Sequence, residues 1–72
     1  MSRHDPPKQP RSERTQTAIL DAAERLIARK GFERTSVSEI SLHAGVTIGA
    51  FYGRFESKEA LLQGLLDRLS QE

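Results

Sequence analysis

Cysteine is absent from all 72 residues, tryptophan too, and three phenylalanines and one tyrosine are the whole aromatic complement. Without cysteine the chain forms neither a disulfide nor a thiolate metal site, which fits a reducing compartment. No apolar run approaches the roughly 18 residues needed to span a bilayer. The N-terminal stretch is polar and proline-rich, with no hydrophobic signal core. A strong excess of one charge is also missing. Eleven basic residues stand against 10 acidic ones, net +1, with an isoelectric point near 8.2. Bulk charge is therefore a weak argument for a polyanionic partner. Catalytic patterns are missing as well. His4 and His43 share no ligand spacing, and there is no phosphate-binding glycine loop and no HExxH. No enzymatic activity, metal or cofactor is expected.

A chain this short holds one small domain and buries only about 60% of the surface its unfolded form exposes, which leaves no room for a deep ligand cavity. Its charge is unevenly spread. Residues 1–34 carry eight basic and five acidic side chains, net +3, and residues 35–72 carry three and five, net −2. A solvated charged surface explains this as readily as a partner does. Residues 1–11, with Pro6, Pro7 and Pro10, cannot sustain a helix and have almost nothing apolar to bury. They read as a flexible arm bearing Arg3, His4, Lys8 and Arg11, ahead of a domain over residues 12–72.

Within that domain the apolar spacing is helical. Ile19, Ala22, Ala23, Leu26 and Ile27 fall at i, i+3, i+4, i+7 and i+8, so a first helix is expected from about Glu13 to Lys30, capped by Ser12. Arg29 and Lys30 suit its C-terminal dipole, Gly31 stops it, and Phe32 would fold back on the core. Ser36-Val37-Ser38-Glu39 matches a capping box at the start of a second helix. This helix buries Val37, Ile40 and Ala44 and ends at Gly45. Thr47 would cap a third helix, Ile48 to Arg54, and Ser57 a fourth, Lys58 to about Ser70. Four helices joined by a few residues each make an all-α bundle.

The stretch Ala44 to Leu61, AGVTIGAFYGRFESKEAL, has the form of the turn and second helix of a helix-turn-helix, followed by another helix start. Gly45 tolerates the positive φ such a turn requires, and Val46 supplies the apolar plug. The third helix buries Phe51 and Phe55, leaving Ile48, Ala50, Tyr52 and Arg54 outward. Glycine within a helix costs roughly 1 kcal/mol relative to alanine, and this short one carries Gly49 and Gly53. Close approach to another surface is one reason to accept that. The Gly45-Gly49-Gly53 spacing also mimics a membrane-helix packing motif, but Arg54, Glu56 and Lys58 follow too closely for one.

Two segments, ILDAAERLIARKGFERTSVSEIS and AGVTIGAFYGRFESKEALL, resemble the DNA-binding domain of tetracycline-repressor-like (TetR) regulators, over about residues 14–66. The resemblance lies in the joint spacing of Ala-Ala, Gly-Phe, Thr-Ser-Val, Ala-Gly-Val, Phe-Tyr, Phe and Ser-Lys-Glu. It implies a bundle of the homeodomain-like TetR N-terminal type, whose third helix docks in the major groove of double-stranded DNA. By the same resemblance Ser38, Thr47, Ile48, Gly49 and Ala50 would face bases. Arg14, Thr35, Ser36, Tyr52, Arg54 and Lys58 would meet phosphates.

Three positions depart from the family pattern. Arg54 stands where an aromatic or histidine is common and could make a bidentate phosphate contact. Ile48 replaces a usually polar base reader, which points to thymine methyls. Glu56 puts a negative charge where proline or a small residue is usual. Read without the resemblance, Tyr52 also fits the rim of the core, Lys58 an exposed first-turn residue, and His43 the polar surface of its helix.

Family members carry a further helical domain that binds a small molecule and forms a homodimer. The resemblance therefore implies a chain truncated before its effector domain, from a cytoplasmic regulator that is a repressor by family habit. On the fourth helix Leu61 and Leu62 are expected to plug the core, and Leu65, Leu66 and Leu69 to lie partly bare. A leucine row of that kind marks an interface. The alternative function is thus a small protein-interaction module or antagonist docking through it.

Overall fold

Three short hydroxyl side chains mark where helices begin. Ser36, Thr47 and Ser57 lie in extended backbone, and each accepts a hydrogen bond from the amide three residues on: Glu39 at 3.0 Å, Ala50 at 3.0 Å and Ala60 at 3.1 Å. Each cap satisfies one amide that has no partner inside its helix. The computed structural model describes the backbone of residues 11–71 and the side chains of residues 13–71. It contains α1 (Arg11–Lys30), α2 (Val37–Ala44), α3 (Ile48–Arg54) and α4 (Lys58–Ser70), with no strand among the described residues.

The last three starts are those the capping residues predict; the first is not. Arg11 and Ser12 already lie within α1, so Ser12 is not its N-cap. Serine is only modestly unfavourable inside a helix, and Glu13 in the first turn suits the dipole, so nothing forces a stop there. Arg11 thereby leaves the expected arm. The rest of that arm, with Arg3, His4 and Lys8, lies outside the described residues.

The core gathers around α1. Ile19, Leu20, Ala22, Ala23 and Leu26 meet Ile40 of α2, Phe51 of α3, Phe55 just beyond it, and Leu61 and Leu65 of α4. Half-buried Ile27, Val37, Ala44 and Val46 close its edges. Helix α1 packs against each of the other three, and α2 packs against α3. Fully burying a leucine, isoleucine or phenylalanine side chain contributes about 1.5–3 kcal/mol, so this cluster holds most of the stability available to so small a domain. Ser41 is buried on the inward side of α2, and its hydroxyl has no hydrogen-bond partner. Phe32 is half-buried, with its ring beside the Lys58 ammonium.

Helix α4 is turned differently from expectation. Leu61 and Leu65 are buried, Leu62 is only half-buried, and Leu66 and Leu69 are exposed. Gly64 explains the rotation. A Cβ there would stand 3.2 Å from Phe55 Cε1, so the missing side chain is what lets the ring lie against the helix. That contact points Leu61 and Leu65, one turn apart, inward and turns Leu62 aside. The same rotation brings Arg68 onto α1, with Nη1 donating to Asp21 at 2.9 Å and Nη2 to Glu24 at 2.6 Å.

Candidate nucleic-acid interface

The angle between α2 and α3 is set by Gly45, whose φ of +74° lies in the left-handed region that favours glycine. A Cβ there would touch nothing within 4 Å, so the backbone angle, not space, demands the residue. Its N–H donates to the carbonyls of Ser41 and Leu42, and the next N–H, of Val46, donates to Ser41 O at 3.0 Å. The end of α2 is thus closed before the chain turns. Val46, half-buried against the core, then fills the corner as expected.

Helix α3 has two unlike faces. Phe51 is wholly buried and packs on Phe55 with ring centroids 5.9 Å apart. On the other side Ile48 is 47% and Tyr52 52% exposed, and Thr47, Gly49, Gly53 and Arg54 are exposed with them. Ala50 is half-buried. The Arg54 Nε donates to the Gly53 carbonyl at 3.2 Å, which leaves the outer guanidinium nitrogens for a partner. Added Cβ atoms at Gly49 and Gly53 would meet nothing closer than Thr47 Oγ1 at 3.8 Å, so internal packing does not require either glycine. The expected base-facing residues therefore sit on α3, its cap, or α2. Ser38 is the one from α2, exposed one residue past the first helical position.

Among the expected phosphate contacts, Ser36 and Arg14 are exposed, Ser36 at the N-terminus of α2 and Arg14 on α1. Two others are employed differently. Thr35 is 1% exposed, its Oγ1 donates to Gly31 O at 2.8 Å, and its N–H donates to Phe32 O at 3.1 Å. Both its hydroxyl and its amide are thus engaged within the α1–α2 turn. Lys58 is half-buried, and its ammonium donates to Phe32 O at 2.8 Å and Thr35 O at 2.9 Å while lying 4.2 Å from the Phe32 ring centre. It ties α4 to the α1–α2 turn instead of standing free at the surface.

The capping box is only half formed. Ser36 Oγ caps α2, but the Glu39 carboxylate turns to Lys30 Nζ at 2.6 Å. The hydrogen bond from Lys30, chiefly, holds this carboxyl below its ordinary range; desolvation opposes the shift, and the Lys30 charge adds to it.

Sequence reasoning missed Leu42, which at 77% exposure is the barest large apolar side chain among the described residues. It also missed the buried Ser41. That burial was legible from spacing, since Val37, Ser41 and Ala44 fall at i, i+4 and i+7 of one face. Among the described residues no group of histidine and carboxylate side chains could hold a metal ion, and no helix is long and apolar enough to cross a membrane.

The chain is also similar in sequence to known proteins. A profile of bacterial regulatory proteins of the tetR family matches residues 19–65. The HTH-type transcriptional regulator TtgR of Pseudomonas putida is 42% identical over 60 residues, which cover 83% of this chain and 29% of that protein. The A-factor receptor protein of Streptomyces griseus is 45% identical over 60 residues, covering 83% and 22%. The HTH-type transcriptional repressor BepR of Brucella suis is 41% identical over 54 residues, covering 75% and 26%. The chain thus spans less than a third of the length of these relatives, two of which are named as a transcriptional regulator or repressor and one as a receptor.

Proposed function

The chain belongs to the tetR family of bacterial regulatory proteins, and from that premise we propose that it docks α3 in the major groove of double-stranded DNA as the reading domain of a transcriptional regulator. The observation that carries this reading is the division of α3. Phe51 is buried and anchors the helix, while Ile48 and Tyr52 stand exposed beside glycines that packing does not require. In this reading Thr47, Ile48, Gly49, Ala50 and Ser38 approach base edges, with Ile48 against a thymine methyl. Ser36, Tyr52, Arg54 and Arg14 hold phosphates and set the register. Ser36 does so where the partial positive charge of the α2 N-terminus adds to its own hydroxyl.

The whole protein is a longer cytoplasmic repressor in this reading, since a relative such as BepR is named a repressor and each relative is several times longer. A further helical domain would form the homodimer and bind a small-molecule effector. One domain grips only one half-site, so its affinity alone is weak and strongly dependent on salt. Fluorescence anisotropy with a labelled mixed-sequence duplex at low ionic strength is the test. Binding should weaken with added salt at a log–log slope of about −0.9 for each phosphate neutralised. No binding, or binding indifferent to salt, overturns the proposal.

A second reading rests on Leu66 and Leu69, exposed at 50% and 56% on α4. These could dock a partner protein in place of DNA. Tyr52→Ala separates the two readings, since it weakens DNA binding and leaves docking through α4 intact.

A further inference from the structure

Three carbonyls of the α1–α2 turn are tied down. Gly31 O accepts from Thr35 Oγ1, Phe32 O accepts from the Thr35 amide, and both Phe32 O and Thr35 O accept from Lys58 Nζ. Lys58 is the one participant from elsewhere in the chain, 26 and 23 residues from its two acceptors. An ammonium has three donors. Two are spent at 2.8 and 2.9 Å, and the Phe32 ring, 4.2 Å away, flanks the charge. The residue after Thr35 is Ser36, which opens α2.

We infer that Lys58 serves DNA binding as a positioning residue, clamping the Phe32 and Thr35 carbonyls so that the N-terminus of α2 and Ser36 are held at a fixed angle beside α3. This inference rests on the DNA-binding reading above. The clamp reaches the nucleic acid through uncharged groups, the Ser36 hydroxyl and the amides of the first turn of α2. Releasing it therefore weakens binding without changing how many phosphates are neutralised by charge. A lysine that met a phosphate directly would do the opposite and remove one unit of charge from the salt response.

The experiment compares wild type, Lys58→Met and Phe32→Leu. It measures anisotropy of a labelled mixed-sequence duplex across a salt series, and amide hydrogen exchange of the free protein. Lys58→Met should weaken binding about threefold to tenfold, the size of one net hydrogen bond, with the log–log salt slope unchanged. Exchange at the Thr35 amide should speed up while the amides of α4 keep their protection. Phe32→Leu keeps the charge and removes the ring beneath it, so it should shift Thr35 exchange and affinity in the same direction, and it stands in if Lys58→Met fails to fold.

A slope that becomes shallower by about 0.9 in Lys58→Met, with Phe32→Leu binding as wild type, overturns the inference in favour of direct phosphate contact. So does a Thr35 amide that exchanges at the wild-type rate in both variants. If the wild-type protein binds no duplex at low salt, the DNA reading fails, and Thr35 exchange alone then decides whether the clamp exists.

Discussion

Phe51 and Tyr52 are adjacent in the chain and opposite in environment. The first is wholly buried, the second 52% exposed, and their rings meet edge to face at 5.3 Å and 79°. The buried ring therefore braces the exposed one on a helix of only seven residues. Edge-to-face pairs of this kind contribute about 0.5–1.5 kcal/mol beyond burial, enough to restrict the tyrosine without covering it.

Replacing Tyr52 by phenylalanine keeps that contact and removes only the hydroxyl. Duplex affinity should fall about threefold to tenfold, with the thermal midpoint unchanged. If the ring merely lines the rim of the core, anisotropy will show no loss for Tyr52→Phe.

Gly49→Ala should separate stability from function. The new methyl meets only Thr47 Oγ1 at 3.8 Å, and alanine improves a helix interior by about 0.5–1 kcal/mol. Urea unfolding should show that gain. Duplex binding should weaken, because the methyl stands on the face proposed to approach bases. A variant both more stable and equally tight in binding would show that this face does not approach closely.

Ser41 presents the opposite case, a buried hydroxyl with no partner. Ser41→Ala removes a desolvated polar group at almost no change in volume, so the protein should become more stable, by about 1 kcal/mol. Chemical denaturation reads this directly, and a loss of stability would mean that the hydroxyl is satisfied in solution.

The Lys30–Glu39 pair makes stability depend on pH at the acid end. The folded-state pKa of Glu39 is lowered, chiefly by the Lys30 hydrogen bond. A lowered carboxyl contributes stability above its unfolded pKa, and that contribution is lost as pH falls through the folded value. The stability difference between wild type and Glu39→Gln should therefore stay constant from neutral pH down to the ordinary carboxylate range. Below it the difference should shrink. Parallel curves at all pH values would show that the pair does not persist in solution.

How much of this was readable in advance follows the range of each interaction. The caps at Ser36, Thr47 and Ser57 bond an amide three residues away, and the left-handed stops at Gly31 and Gly45 are set by backbone sterics at a single residue. The division of α3 follows from the spacing of Phe51 and Phe55, and the helix-turn-helix from the residues around Gly45. The positions matching a known family were legible too, as residue types, though not what each side chain touches.

Local chemistry along the chain was thus enough to determine four helices, three of their starts, and a short helix with one buried and one open face. Only the assembled fold decided which leucines of α4 face inward, because Phe55 against Gly64 sets that rotation. It also decided that Arg68 reaches Asp21 and Glu24 from 47 and 44 residues away, that Thr35 is buried, and that Lys58 grips two turn carbonyls. The physical reason is that burial of a side chain such as Thr35 depends on what packs over it, and a long cationic side chain has no preferred partner in sequence. Its partner is whichever carbonyl or carboxylate the packing of other helices leaves within reach.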